Sequence, residues 1–153
     1  MNKIHIYIDG SCIKNPGPGG YGILLKYKNF EKKISKGFYL TTNNRMELMA
    51  AIESLKCLKK KCLVTIITDS KYVILGISNW IKKWKMKKWK NTKKNVIKNL
   101  DLWKKLYNLT KKHKIEWIWI KGHKGNYENN ICDKLAKNAA KNPIKNDNGY
   151  NST

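Results

Sequence analysis

Acidic residues are scarce in this chain. Ten Asp and Glu stand against 33 Lys and Arg, a formal net charge of +23 over 153 residues. Arginine is rarer still, since every basic residue but Arg45 is lysine. With abundant Asn and Ile beside it, that lysine bias is what an AT-rich genome would produce, so much of it is expected to be solvated surface. Its local clustering says more about a polyanionic partner than its total does. The four cysteines form no Cys-X-X-Cys pair, which excludes the usual zinc frameworks and leaves reduced thiols as the expectation for a cytoplasmic protein. No apolar run approaches the length of a membrane span, and the N-terminal apolar stretch is broken by Asp9, so neither signal peptide nor anchor is expected and no membrane partner. A Walker-type Gly-Lys-Ser/Thr is missing. A formal Gly-X-Gly-X-X-Gly match exists at Gly17, Gly19 and Gly22, but Pro18 interrupts it and strand-like residues follow instead of a helix. Nucleotide binding by such a loop is excluded.

Because acids are so few, each one set in apolar surroundings is informative. Ile4, Ile6 and Ile8 alternate with His5 and Tyr7 in strand periodicity, and the run stops at Asp9-Gly10. Leu63-Val-Thr-Ile-Ile-Thr is a second apolar strand, and it too ends on a carboxylate, Asp69. If these strands lie adjacent and parallel, both acids meet at one edge of the sheet, where α/β proteins bind ligands.

Between them, residues 21–28 and about 32–41 read as an antiparallel pair. Thr42-Asn43-Asn44 supplies N-cap chemistry for a helix that begins at Arg45. Leu48, Ile52 and Leu55 form its apolar stripe. Glu47 aligns with the small residues Ala50, Ala51 and Ser54, which would let it approach the sheet. A short helical stretch is expected over about 71–78.

Residues 80–98 interleave Trp80, Trp84 and Trp89 with lysines, among them Lys83, Lys85, Lys87 and Lys88. This composition suits a protrusion that grips a nucleic-acid backbone, although Trp80 and Trp84 share a helix face and could equally pack into a core. An amphipathic helix from Leu100 and a strand from Ile115 to Ile120 follow. His123 sits in a glycine-flanked basic loop, which favours a catalytic or substrate-contact role over a structural one. A last helix, about 127–141, carries Asp133 near its start. Pro143 closes it, and the polar tail 144–153 is expected to fray.

Taken in order, Asp9-Gly-Ser, Asn-Pro-Gly-Pro-Gly-Gly-Tyr-Gly, Thr-Thr-Asn-Asn-Arg-Met-Glu47, Thr-Asp69-Ser, Lys-Gly-His123 and Asp133 resemble type 1 ribonuclease H in its bacterial form. The resemblance runs from residue 1 to about 143 and implies one catalytic domain with the ribonuclease H-like α/β fold, a five-stranded mixed sheet flanked by helices. It implies endonucleolytic cleavage of the RNA strand of RNA·DNA hybrids, with 5′-phosphate and 3′-hydroxyl ends. Asp9, Glu47, Asp69 and Asp133 would hold two Mg²⁺ ions, the choice between Mg²⁺ and Mn²⁺ being left open by the sequence, and His123 would assist proton movement or product release. Gly10 and Ser11 would read the 2′-hydroxyl, Asn15, Asn43 and Asn44 the minor groove, and Thr42 and Asn99 a DNA phosphate. Trp80 and the lysines at 83, 85, 87 and 88 would contact the hybrid from the protrusion. Nothing in the residues requires more than a monomer.

Lys71 stands where the family pattern leads one to expect glutamine. The rival readings are another nuclease of the same superfamily and an inactive hybrid-binding module. The first lacks the Asn-Pro-Gly-Pro-Gly turn, and the second would not need all four acids.

Overall fold

The computed structural model describes residues 1–91, 96–122 and 126–150. Five strands form one mixed sheet: β1 (Asn2–Cys12), β2 (Gly17–Tyr27), β3 (Phe30–Thr41), β4 (Cys62–Thr68) and β5 (Lys114–Trp119), in the spatial order β3-β2-β1-β4-β5. β1, β2 and β3 are antiparallel neighbours, whereas β4 runs parallel to both β1 and β5. The helices are α1 (Asn43–Lys56), α2 (Lys71–Leu75), α3 (Ile81–Met86), α4 (Leu100–Thr110) and α5 (Tyr127–Lys141). A π-helical turn, Gly76–Trp80, joins α2 to α3. No helix among the described residues is long and apolar enough to cross a membrane.

The alternation in β1 fixes which face each helix covers. Ile4, Ile6 and Ile8 point into a core with Val64 and Ile66 of β4, closed by α1 and α4. Helix α1 enters this core on two stripes, one of Leu48, Ile52 and Leu55 and one of Glu47, Ala50, Ala51 and Ser54, all buried. The opposite face of β1–β2–β3 is covered by α5 through Cys132, Ala136, Ala139 and Ala140. Ile131 and Leu135 of the same helix are only half-buried.

Strand boundaries differ from the sequence expectation where glycine is involved. β1 continues past Asp9 to Cys12, and β2 begins at Gly17 instead of Tyr21, so the glycine-rich stretch is largely strand. Packing supplies the reason. A Cβ on Gly20 would stand 2.7 Å from both Ala136 O and the Ala139 Cβ, and one on Gly22 would collide with Cys132 O. These glycines form a flat seat on which the backbone of α5 rests.

Residues 144–147 are docked, not frayed. Ile144 N donates to Gly37 O at 3.1 Å, Tyr39 N to Lys145 O at 2.9 Å, and Thr41 Oγ1 to Asp147 Oδ2 at 2.8 Å. Arg45, only 2 % exposed, donates from Nε to Asp147 Oδ2 (2.7 Å) and from Nη1 and Nη2 to Asp101 (2.9 and 2.8 Å). Burial of the guanidinium opposes its charge, but the two carboxylates prevail and hold its pKa above the ordinary value. Asp147 thus ties the chain end to the start of α1 and to α4.

Candidate active site

The parallel β1–β4 ladder ends with Ile8 opposite Thr68, and the next residue on each strand is an aspartate. Asp9 and Asp69 therefore meet at one edge of the sheet, as the sequence predicts. Helix α1 brings a third acid to them. Its N-cap is Thr42, whose Oγ1 accepts from Arg45 N at 3.2 Å, and Glu47 follows in the next turn. Gly10 makes the approach of α1 feasible, because a Cβ there would stand 2.8 Å from Glu47 N and 3.0 Å from the Met46 Cβ. The space that a side chain at position 10 would need is thus taken by the backbone of α1.

Asp9, Glu47 and Asp69 each offer an oxygen within 4.8 Å of the others. Asp9 and Glu47 are buried, at 5 % and 3 % exposure, and Asp69 is half-buried. Burial raises the Asp9 pKa to about 7, and the charges of Asp69 and Asp133 add to the effect. Burial also raises Glu47 well above the ordinary carboxylate value, with Asp9 and Asp69 contributing. Asp69 is raised by burial as well, although a hydrogen bond from Asp9 opposes the shift. Glu47 Oε2 is buried without a hydrogen-bond partner. Orphaned oxygens of this kind are uncommon in folded proteins, and a cation is one group that satisfies them.

Asp133 reaches the same cavity, of about 480 Å³, from α5. It falls outside the close trio and forms an ion pair with Lys137 at 3.0 Å. Gly10, Ser11, Asn43 and Asn44 line that cavity too, together with Lys71 and Lys137. Asn15 joins them through its Oδ1, which accepts from Asn43 N at 3.0 Å. Thr42 and Asn99 are linked through Arg45, whose Nη1 donates to Asn99 Oδ1 at 3.2 Å. The Asn99 amide also donates to the Tyr72 hydroxyl at 3.0 Å. His123 lies outside the described residues.

Trp80 is half-buried, edge-on to Tyr72 (5.4 Å between ring centroids) and to Trp103 (6.3 Å). Trp84 and Trp89 extend this aromatic cluster towards Tyr107. Lys83, Lys85, Lys87 and Lys88 are exposed around it. The tryptophans thus pack into an aromatic cluster while these lysines lie exposed around it. Lys71 is exposed, with its ammonium 5.2 Å from the centre of the Trp119 ring and in no ion pair with the site carboxylates. Lys137 and Trp119 are among the site neighbours that sequence reasoning missed. Lys137 was legible in principle, being four residues after Asp133 on the same helix, whereas Trp119 required knowledge of how β5 sits beside Asp69.

The family model for RNase H matches residues 1–141. Ribonuclease H of Vibrio campbellii is 53 % identical over 150 residues, covering 98 % of this chain and 97 % of the relative. Ribonuclease HI of Vibrio parahaemolyticus is 54 % identical over 147 residues, covering 96 % of each. Among solved structures, LC9-RNase H1, described as a type 1 RNase H with the type 2 active-site motif, superposes with a TM-score of 0.86 at 30 % identity, covering 94 % of this chain and 74 % of that one. LC11-RNase H1, solved in complex with an RNA/DNA hybrid, shares the fold at a TM-score of 0.66 and 20 % identity, covering 91 % and 97 %.

Proposed function

This chain belongs to the RNase H family, and from that premise we propose how it cleaves the RNA strand of RNA·DNA hybrids: Asp9, Glu47, Asp69 and Asp133 hold two Mg²⁺ ions at the sheet edge. The observation that carries this reading is the convergence of three carboxylates, one with an unpartnered buried oxygen. Hard oxygen donors of this kind suit Mg²⁺, which retains waters and shares its remaining positions with phosphate. When bound, two such ions lower the pKa of water and stabilise charge on the leaving oxygen. Mn²⁺ offers the same coordination and is the expected substitute.

The protein's own residues supply position. Asp9 and Asp69 are fixed by the sheet and Glu47 by α1, so these three donors need little reorganisation. Gly10 and Ser11 read the 2′-hydroxyl that distinguishes RNA from DNA. Asn15, Asn43 and Asn44 contact the minor groove. Thr42 and Asn99 hold a DNA phosphate, and Trp80 with Lys83, Lys85, Lys87 and Lys88 supports the DNA strand. His123 moves a proton or assists product release. The bond broken is that between phosphorus and the 3′-oxygen, which leaves a 5′-phosphate and a 3′-hydroxyl. The protein acts as a cytoplasmic monomer.

The test is cleavage of labelled RNA annealed to DNA in Mg²⁺, beside duplex RNA, duplex DNA and single-stranded RNA, with Asp9→Asn as the control. Cutting of the hybrid alone, abolished by chelation and by Asp9→Asn, is the expected result. Hybrid binding without cutting would overturn the assignment of the metal site.

A further inference from the structure

The fourth carboxylate of the site is already occupied. Asp133 Oδ2 lies 3.0 Å from the Lys137 ammonium, one turn further along α5, and both side chains line the cavity that holds Asp9, Glu47 and Asp69. Asp133 is also the one acid of the four that does not join the close trio. Lys137 is 62 % exposed and lies on the solvent side of α5, so packing does not hold it in place. Its only ionic partner among the described residues is Asp133.

We propose that Lys137 is a positioning residue that exchanges partners: in the free protein it neutralises Asp133, and when an RNA phosphate enters the cavity it transfers to that phosphate and releases Asp133 to the metal site. This rests on the metal-holding role proposed above for Asp133. The exchange leaves each anion with a cationic partner, since the ammonium moves from a carboxylate to a phosphate while Asp133 turns to the metal site. An exposed pair on one helix is weak enough to be broken by a better partner. A desolvated phosphate beside the trio is such a partner. The full donor set would then assemble only with substrate present, and the free protein would bind its metal with a set from which Asp133 is withheld.

Two measurements that do not read turnover test this. In calorimetric titration of the free protein with Mg²⁺, Lys137→Met should bind about two- to fivefold more tightly than wild type, the factor set by the lost competition of an exposed ion pair. In metal-free buffer with chelator, the same variant should bind an RNA·DNA hybrid more weakly, and the slope of log K against log salt should fall by about 0.9, the loss of one phosphate contact. Lys137→Arg should restore both properties towards wild type. A merely structural Lys137 would not shift the two affinities in opposite directions. Unchanged or weaker Mg²⁺ binding by Lys137→Met, or an unchanged salt slope, would overturn the exchange. The functional assignment fails separately, by persistence of cleavage in Asp9→Asn.

Discussion

Asp9 and Asp69 stand at the same level of the sheet, each one residue beyond Ile8 and Thr68, the last pair of the parallel ladder between β1 and β4. Parallel neighbours present their paired side chains on the same face, so the register alone brings the two carboxylates together. No loop intervenes to absorb their repulsion, and Glu47 is pressed against them by α1. Without a cation the cluster opposes its own ionisation.

That opposition makes stability depend on pH in a stated direction. Asp9 is raised to about 7, while the unfolded chain titrates near the ordinary value, so around neutral pH the native state binds more protons than the unfolded state. Its contribution is therefore fully present below about pH 4 and is lost as pH rises through 7. Glu47 and Asp69 are raised in the same direction. In chelator, Asp9→Asn should be more stable than wild type at pH 8, by on the order of a few kcal/mol. The gap should close as pH falls towards 4. Denaturant titrations of both proteins across that range measure it, and the comparison cancels the general repulsion of a highly cationic chain. Saturating Mg²⁺ should stabilise wild type more at pH 8 than at pH 5.

Gly122 faces the Asp69 carboxylate. A Cβ there would stand 2.6 Å from Asp69 Oδ2, and the movable atom is the carboxylate itself. Gly122→Ala should thus rotate Asp69 out of the trio while sparing the exposed backbone around it. The expected outcome is a melting temperature within a few degrees of wild type and Mg²⁺ binding about tenfold weaker, the loss of one charged ligand contact. Calorimetric titration beside a thermal melt separates the two effects. Unchanged Mg²⁺ affinity would mean that the loop yields instead of Asp69.

How far the sequence could be read is shown by these same elements. The acids at Asp9 and Asp69 were legible because strand periodicity stops at each, and Glu47 because it aligns with Ala50, Ala51 and Ser54. The extension of β1 and β2 through the glycines was not legible as strand. Glycine is depleted in strands generally, and only the close approach of α5 explains it here. The tail was misjudged for a related reason. Asn, Asp and Gly read as turn or coil, and nothing local says that Asp147 has a buried guanidinium waiting for it.

Arg45 and Asp147 carry a stability prediction of their own. The Asp147 side chain is 2 % exposed and makes two of the contacts that satisfy the Arg45 guanidinium. Asp147→Ala leaves that charge buried with Asp101 and Asn99 alone, which should cost about 3 kcal/mol. For a domain of this size the melting temperature should fall by roughly 6–12 °C. Truncation after Pro143 should cost at least as much, since the backbone bonds of Ile144 and Lys145 to β3 go with it. Replacing both partners by apolar residues, Arg45→Met with Asp147→Leu, should recover much of the loss. A tail that merely frayed would show no effect in any of these melts.

Lys71 lines the site cavity, and its position argues that its ammonium does not pair with the site carboxylates. Its ammonium rests over the Trp119 ring, and Trp119 Nε1 donates to Asp69 O at 3.1 Å, so the indole holds the lysine aside while bracing the strand end that carries Asp69. An exposed cation–π contact contributes about 0.5–1 kcal/mol, enough to bias an otherwise free side chain by several-fold. Lys71→Gln should therefore change Mg²⁺ affinity by less than about twofold. Trp119→Leu should weaken it more, because the freed ammonium can then pair with the site carboxylates, of which Asp69 is two residues away. The double variant separates this from the lost hydrogen bond to Asp69 O: removing Lys71 in the Trp119→Leu background should restore most of the affinity. If the double variant binds Mg²⁺ as poorly as Trp119→Leu alone, the indole acts by bracing Asp69 and not by holding Lys71 away.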